Sequence, residues 1–319
     1  MKILKKFILY LTVLISNFSF SQIDLDKVPF VAYWSIGDSY DFKITKITQQ
    51  WKNDTLNKDR VNAYIVNFNV IDSTENSYTI DWTYKNDILN EYNFPKELEE
   101  KLSKYDLIKI KYKTNEVGEF IEILNWKEIS TMLNSMFKDL IEVEFKDSEE
   151  NKRKEAIEKI KVISNILTTQ EAIENLLAKE IQIFHNPLGL EYNTTPSSYE
   201  GEVPNIFDGT PIKNITHIYF EEVDSENKFC IMKSESKIDP DESKKIVINF
   251  LSKINPEDKH FTKELERSKF NIIDRNNFEY YYNPGIPHKI ESSREILLKL
   301  DDTSTKKIET ISIELIYNK

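Results

Sequence analysis

Apolar and polar positions alternate through much of this chain. Tyr40, Phe42 and Ile44 stand at every second position, as do Tyr64, Val66, Phe68 and Val70, and then Tyr78, Ile80, Trp82 and Tyr84. A period of two carried by aromatic and β-branched residues predicts strands. The short polar segment from Asp72 to Asn76 joins the last two runs as an antiparallel hairpin. Ile108, Ile110 and Tyr112 predict a further strand, which "TNEVG", ending at Gly118, turns back into Phe120 to Leu124. Residues 22–37 precede the first of these alternations and read as a lead-in.

The period then changes to that of a helix. Trp126, Ile129, Leu133, Met136, Phe137 and Leu140 predict an amphipathic helix over 126–143. The charged run "KDSEENKRKE" follows as a linker or as the start of a second helix bearing Ile157, Ile160, Ile163, Ile166 and Leu167. Thr168 and Glu171 have capping-box spacing and open a third helix with Ile173, Leu176, Leu177 and Ile181, stopped by Asn186-Pro187-Leu188-Gly189. Residues 190–214, with three prolines and two glycines, predict a long loop.

Strands resume at Ile215 to Val223 and Lys228 to Ser236, joined by Asp224-Ser225-Glu226-Asn227. Asp239-Pro240-Asp241-Glu242 is a helix start, with an N-cap, a proline in the first turn and acids at the positive end of the dipole. That helix carries Ile246, Ile248, Phe250 and Leu251, and a further helical piece is expected over 257–268. Three strands close the chain, near 277–283, 287–300 and 306–317. In "YYYNPGIPHKI", Phe278, Tyr280 and Tyr282 share one strand face, and Asn283-Pro284-Gly285 reverses the chain. The order strands, helices, strands, helix, strands lacks βα alternation. It predicts an α+β fold of curved antiparallel sheet packed on a few amphipathic helices. Two parts are expected, 22–186 and 187–319, either separate or continuous.

Composition changes this picture at the N-terminus. Lys2, Lys5 and Lys6 precede an apolar run from Phe7 to Ile15, and Ser19 and Ser21 are small residues suited to cleavage before Gln22. This pattern predicts a secretory leader over residues 1–21, too short in its apolar part for a membrane span of about 20 residues. The expected location is periplasmic or extracellular, with no transmembrane segment in the mature chain. The net charge is −11, and loss of three lysines with the leader takes it to −14. An acidic chain without a basic block argues against nucleic-acid binding. With Cys230 as the only cysteine, an internal disulfide is impossible.

Candidate chemistry is sparse. His185, His217, His260 and His288 show no metal-pair spacing, so no metal site is expected and each reads as structural. Pairing Val223 with Lys228 would set Cys230 opposite Glu221 and leave His217 about 13 Å along the strand, at 3.3 Å per residue. Cys230 therefore reads as a small buried apolar residue. No nucleophile elbow, phosphate loop or Cys-x-x-Cys occurs, so neither catalytic residues nor a cofactor is expected.

The 215–236 hairpin carries apolar groups on both faces. Ile218, Phe220, Phe229 and Ile231 are expected on one, with Tyr219, Val223, Cys230 and Met232 on the other. A helix, another sheet or an apolar ligand should cover the second face.

The turn after "YYYNPG", with its Gly-x-Pro and extended run, resembles the final hairpin of periplasmic lipoprotein-carrier-like half-barrels, mainly over 198–317. The chain as a whole resembles secreted proteins of Bacteroidota without an established function. The residues that carry this are "FSFSQ", "NEVGEFIEILNWKEI", "VPNIFDGTPI" and "YYNPGIPHKI". The carrier resemblance implies a curved sheet around an apolar cavity for acyl chains, and it places no functional residue. It supports the leading expectation, an exported non-catalytic envelope protein binding an apolar or lipidic molecule; the rival expectations are an envelope scaffold or interaction protein with a solid core and no cavity, and a hydrolase. Under the first, Phe278, Tyr280 and Tyr282 line the ligand cavity.

N-terminal sequencing of the exported protein should begin at Gln22. Persistence of Met1 in the mature pool would refute the leader.

Overall fold

The computed structural model describes residues 26–85, 96–105, 107–204, 210–254, 259–300 and 302–317. The expected leader lies outside them. Among the described residues, the strands are β1 (Lys27–Pro29), β2 (Ser39–Lys52), β3 (Thr55–Thr74), β4 (Ser77–Lys85), β5 (Leu107–Asn115) and β6 (Phe120–Ile123). They continue as β7 (Glu191–Asn193), β8 (Ser197–Pro204), β9 (Pro211–Asp224), β10 (Phe229–Ile238), β11 (Lys269–Tyr281), β12 (Ile286–Leu300) and β13 (Thr303–Leu315). The helices are α1 (Lys96–Leu102), α2 (Trp126–Glu144), α3 (Glu150–Leu167), α4 (Gln170–Leu177), α5 (Lys179–His185), α6 (Pro240–Ile254) and α7 (Lys259–Arg267).

The architecture is α+β and mostly β. Eleven strands form one curved, unclosed antiparallel sheet in the order β6-β5-β4-β3-β2-β13-β12-β11-β10-β9-β8. Its centre is the pairing of β2 with β13, which hydrogen-bonds the two ends of the chain along eleven register positions from Phe42↔Leu315 to Lys52↔Thr305. All ten ladders are antiparallel, as hairpins and meanders allow without long crossovers.

The inner face of this sheet bears rows of apolar side chains. Ile44, Ile313, Ile290, Phe278, Met232 and Phe220 stand in register across six strands. They cannot be left in water, and two things cover them. One is α5, whose Ile181 and Phe184 are fully buried. Phe184 packs against Phe42, Phe68 and Trp82, with ring centroids 5.3 to 5.7 Å apart. The other is the segment that the sequence reading took for a lead-in. Val28, Phe30, Ala32 and Trp34 alternate into the core, at 0 to 5% exposure. The strap makes few ladder bonds and instead borrows partners from three turns. Ala32 N–H donates to Val117 O, Tyr33 N–H to Pro284 O, and Phe30 exchanges bonds with Leu190 O and Gly189 N–H.

Other local expectations also shift. Residues 190–214 hold β7, β8 and the start of β9, because Pro196, Pro204 and Pro211 sit at strand ends and beside a sheet edge, where no ladder bond is lost. The third helix is broken at Ala178 into α4 and α5. Its N-cap is Thr169, whose hydroxyl accepts from Ala172 N–H at 3.2 Å, while Thr168 donates to Ser164 O of the preceding helix. Asp239 caps α6 as read, accepting from the N–H groups of Asp241 and Glu242 at 2.9 and 2.8 Å.

A second register shift concerns the hairpin β9–β10. Asp224 Oδ1 accepts from Glu226 and Asn227 N–H, and Lys228 takes φ +54°, so Phe229 pairs with Asp224. Cys230 therefore faces Val223, not Glu221. A bulge between Ile231 and Met232 puts Ile218 and Phe220 on the inner face with Cys230 and Met232. On the opposite face Ile215 and Tyr219 are 47% and 44% exposed, and no described segment lies over them.

His185 closes the core electrically. Its Nδ1–H donates to Gly118 O at 2.6 Å, and Nε2 accepts from the Tyr112 hydroxyl at 2.8 Å. Burial pushes its pKa down from 6.5 to about 4, against the opposing pull of the Gly118 bond. The unfolded chain takes up this proton first as pH falls. Stability should therefore fall between pH 6.5 and 4, by roughly 3 kcal/mol from this group, and change no further below that. Chemical denaturation across that window should show the slope, and His185→Gln should remove this share of it.

Gly285 ends the β11–β12 turn with φ +86°, and a Cβ there would lie 2.6 Å from Val31 O of the strap. Gly37, at φ +92°, has nothing within 4 Å of the same position. Thermal or chemical unfolding should show Gly285→Ala costing roughly 2–4 kcal/mol, from backbone strain plus the clash, and Gly37→Ala only about 1–2 from strain. Equal costs would show that the strap yields.

Candidate functional site

Phe278, Tyr280 and Tyr282 do share one face, and they are buried in the core at 1%, 0% and 8% exposure. Tyr280 packs on Phe30 of the strap with centroids 5.2 Å apart and donates to Gly285 O at 3.4 Å. Tyr282 donates to Asp224 O at 3.4 Å. Burial drives the Tyr280 pKa well above its usual value, so the phenol stays neutral. The strap occupies the space that a ligand cavity would need here.

His185, His217 and His288 are dispersed. Among the described residues no group of three or more metal-capable side chains occurs. His217 lies on the outer face beside Ser198, with Nδ1 2.6 Å from its Oγ, and stands opposite Glu235 in the ladder. Cys230 is buried on the inner face, and burial pushes its thiol up to about 12. The two do not meet. His288 joins an outer aromatic cluster with Phe229, Tyr281 and Tyr317, its Nδ1 2.7 Å from the Tyr317 hydroxyl.

Beyond the apolar core the inner face turns polar. Thr48, Glu309, Arg294, Asp274, Ser236 and Thr216 stand in one register row. Arg294 grips Asp274 through two hydrogen bonds of 2.7 Å, and this bonding raises the guanidinium's pKa further. The Asn214 amide donates to Ser236 and Thr216, at 2.7 and 3.0 Å. Past this belt, Ile212, Ile238 and Phe270 are buried again, together with Leu265 of α7. The belt thus separates two apolar packs on one face of the sheet.

The candidate site lies behind that second pack, on the outer face. An open groove of about 720 Å³ crosses the ends of β8, β9, β10 and β11 and reaches the start of α6. Glu200, Ile215, Lys237 and Ile273 line it and stand in one register row. They have the opposite parity to Ile238 and Ile272, which with Gly201 and Asn214 also border the groove, so their side chains form the outer wall of the sheet. Glu202, Lys213, Asp239 and Asn271 continue the lining, and Pro240 closes one end. The groove is apolar at its middle and charged at its rim. Lys213 Nζ lies 3.7 Å from Glu242, and Lys237 lies 3.3 Å from Glu235. Partial burial works against the charge on Glu235, but Arg275 and Lys237 hold its pKa below the usual carboxylate range.

The sequence reading did not single out Ile215, Lys237 or Ile273. The signal was available as the apolar residues of both parities in the 215–236 hairpin. It could not show which face the core would take, because the bulge at Ile231/Met232 reverses the parity there.

No helix among the described residues is long and apolar enough to cross a membrane. No protein-family model matches the chain, and no curated relative does. Solved structures with some likeness include one concerned with lipid–protein interactions in lipovitellin, at 9% identity and a TM-score of 0.44. That match covers 89% of this chain and 25% of lipovitellin's, so this chain spans about a quarter of its length. Another is Ail, the attachment invasion locus protein of Yersinia pestis, at 6% identity and a TM-score of 0.15, covering 88% of this chain and 100% of that one. At these scores neither likeness assigns a fold or a function.

Proposed function

We propose that this is an exported, non-catalytic envelope protein that holds an apolar or lipid-like molecule in the groove across β8–β11. The carrying observation is the groove itself, about 720 Å³ with Ile215, Ile273 and Pro240 in its lining. Ile215 remains 47% exposed at its middle, an unpaired apolar surface in an otherwise charged rim. That volume and composition suit a small amphiphile, with the chain on the isoleucines and the head at the charged rim. The lysine-led, short apolar start of the chain supports export. A scaffold role is the alternative, and the solid packing of Phe278, Tyr280 and Tyr282 favours it over a carrier with an internal cavity.

The test uses delipidated protein and dansyl-undecanoic acid, followed by fluorescence. Saturable binding is expected, and Ile215→Glu should weaken it at least tenfold, about 1.4 kcal/mol, with no change in melting temperature. Binding that survives Ile215→Glu would remove the groove as its site. An absence of binding, with no lipid in mass spectra of protein taken from native envelopes, would favour the scaffold.

A further inference from the structure

The two edges of the sheet are treated differently. At one, β6 is four residues long, adjoins α4 and α5, and gives its Ile123 N–H to the Glu174 carboxylate at 3.3 Å. At the other, β8 pairs with β9 alone among the described residues. In an antiparallel strand about half of the residues turn both N–H and C=O away from the paired side. Over the eight residues of β8 those groups face outward, and among the described residues no segment other than β9 pairs with them.

Edge strands are commonly guarded by lysines, inward charges or bulges. The strand "SSYEGEVP" has no lysine, pairs with β9 without a bulge, and has Ser197, Tyr199, Gly201 and Val203 on its inner parity, none of them charged. Ser197 to Glu200 and Glu202 are all exposed, so no described segment lies over them. The outer parity presents Glu200 and Glu202 side by side; Glu202 stands opposite Lys213 in the ladder, but Lys213 lies 3.7 Å from Glu242, and among the described residues neither Glu200 nor Glu202 has an ion pair. A second copy of this strand would place these carboxylates opposite or diagonal to their own duplicates, at spacings where like charges repel. The charge pattern excludes the symmetric partner and asks for a cationic one.

We propose that β8 is a docking edge for an extended peptide segment of another protein, in which Lys or Arg alternates with apolar residues. The segment adds a twelfth strand. Its backbone takes the outward N–H and C=O groups of β8. Its basic side chains lie beside Glu200 and Glu202 on the outer face, and its apolar ones beside Tyr199 and Val203 on the inner face. This reading rests on the open edge and not on ligand capture in the groove.

The probe is a fluorescein-labelled peptide, Lys-Val-Lys-Thr-Lys-Val, measured by anisotropy on the full mature chain. Saturable, salt-sensitive binding is expected. It should fall at least tenfold in the double variant Glu200→Lys, Glu202→Lys, whose exposed side chains leave melting unchanged. The same peptide N-methylated at alternate amides should not bind, since its donors are gone while its charge is intact. Glu200 and Glu202 also line the groove, so the N-methylated peptide, and not the double variant, separates edge from groove; dansyl-undecanoic acid binding, which does not involve those amides, reports the groove in the wild-type chain. Equal binding of the N-methylated peptide, an unaffected double variant, or no binding of the parent peptide would each overturn the proposal. So would a wild-type dimer in sedimentation that the double variant loses, since the occupant would then be a second copy.

Discussion

The strap from Val28 to Trp34 is the contact on which the rest of the fold depends. An open curved sheet has an apolar inner face and, unlike a closed barrel, no opposite wall to pack it against. Here a single extended segment lies across that face and inserts Phe30 and Trp34 among aromatics from both halves of the chain, Tyr280 and Tyr192 on one side and Phe68 and Tyr78 on the other. Burial of side chains this large stabilises by roughly 3 kcal/mol each. The strap's peptide groups would be costly to bury unpaired. The turns at Val117, Leu190 and Pro284 supply their partners, and Trp34 Nε1–H donates to Gly285 O at 3.2 Å. Close approach explains the glycines there. A Cβ on Gly118 would lie 2.7 Å from Ala32 Cβ, and one on Gly285 would meet the strap backbone.

The strands of the sheet were legible because each alternates, and the hairpins at 72–76 and 283–285 because their turn residues allow little else. The strap was legible in principle. Val28, Phe30, Ala32 and Trp34 also alternate, but the run is short and follows the apolar run from Phe7 to Ile15, so it reads as a connection. Residues 190–214 misled for the opposite reason. Their prolines and glycines are turn formers in isolation, yet Pro204 and Pro211 face each other across the β8–β9 ladder at its end, where a missing N–H costs nothing. Register within β9–β10 was beyond the sequence. One residue with positive φ, Lys228, together with one bulge, moved Cys230 from Glu221 to Val223 and exchanged the faces of Ile218 and Phe220.

That face assignment decides where a site can be. With Ile218, Phe220, Val223, Cys230 and Met232 all inward, Ile215, Tyr219, Phe229 and Ile231 are left on the outer wall. Phe229 enters an aromatic cluster with Tyr281, while Ile215 enters the groove. The aromatic hairpin, which has the look of a ligand lining in the sequence, is consumed by the strap. An apolar run in a sequence marks burial demand, and only the three-dimensional partner says whether the demand is met by protein or left for something else.

The polar belt gives the reason why the groove and the open edge lie at the same end of the sheet. Arg294, Asp274, Ser236, Thr216 and Asn214 interrupt the inner apolar surface, so the strap and α5 cover only the part on one side of it. On the other side, α6 and α7 pack against β9, β11 and β12. Among the described residues no comparable contact joins them to β8. At the opposite edge, β6 is fastened by α4 and α5, which belong to the strap's own pack. The consequence is an asymmetric sheet. One edge is fixed by the core, and the other projects past its covering helices, with no described segment over its outer face or its outward backbone edge.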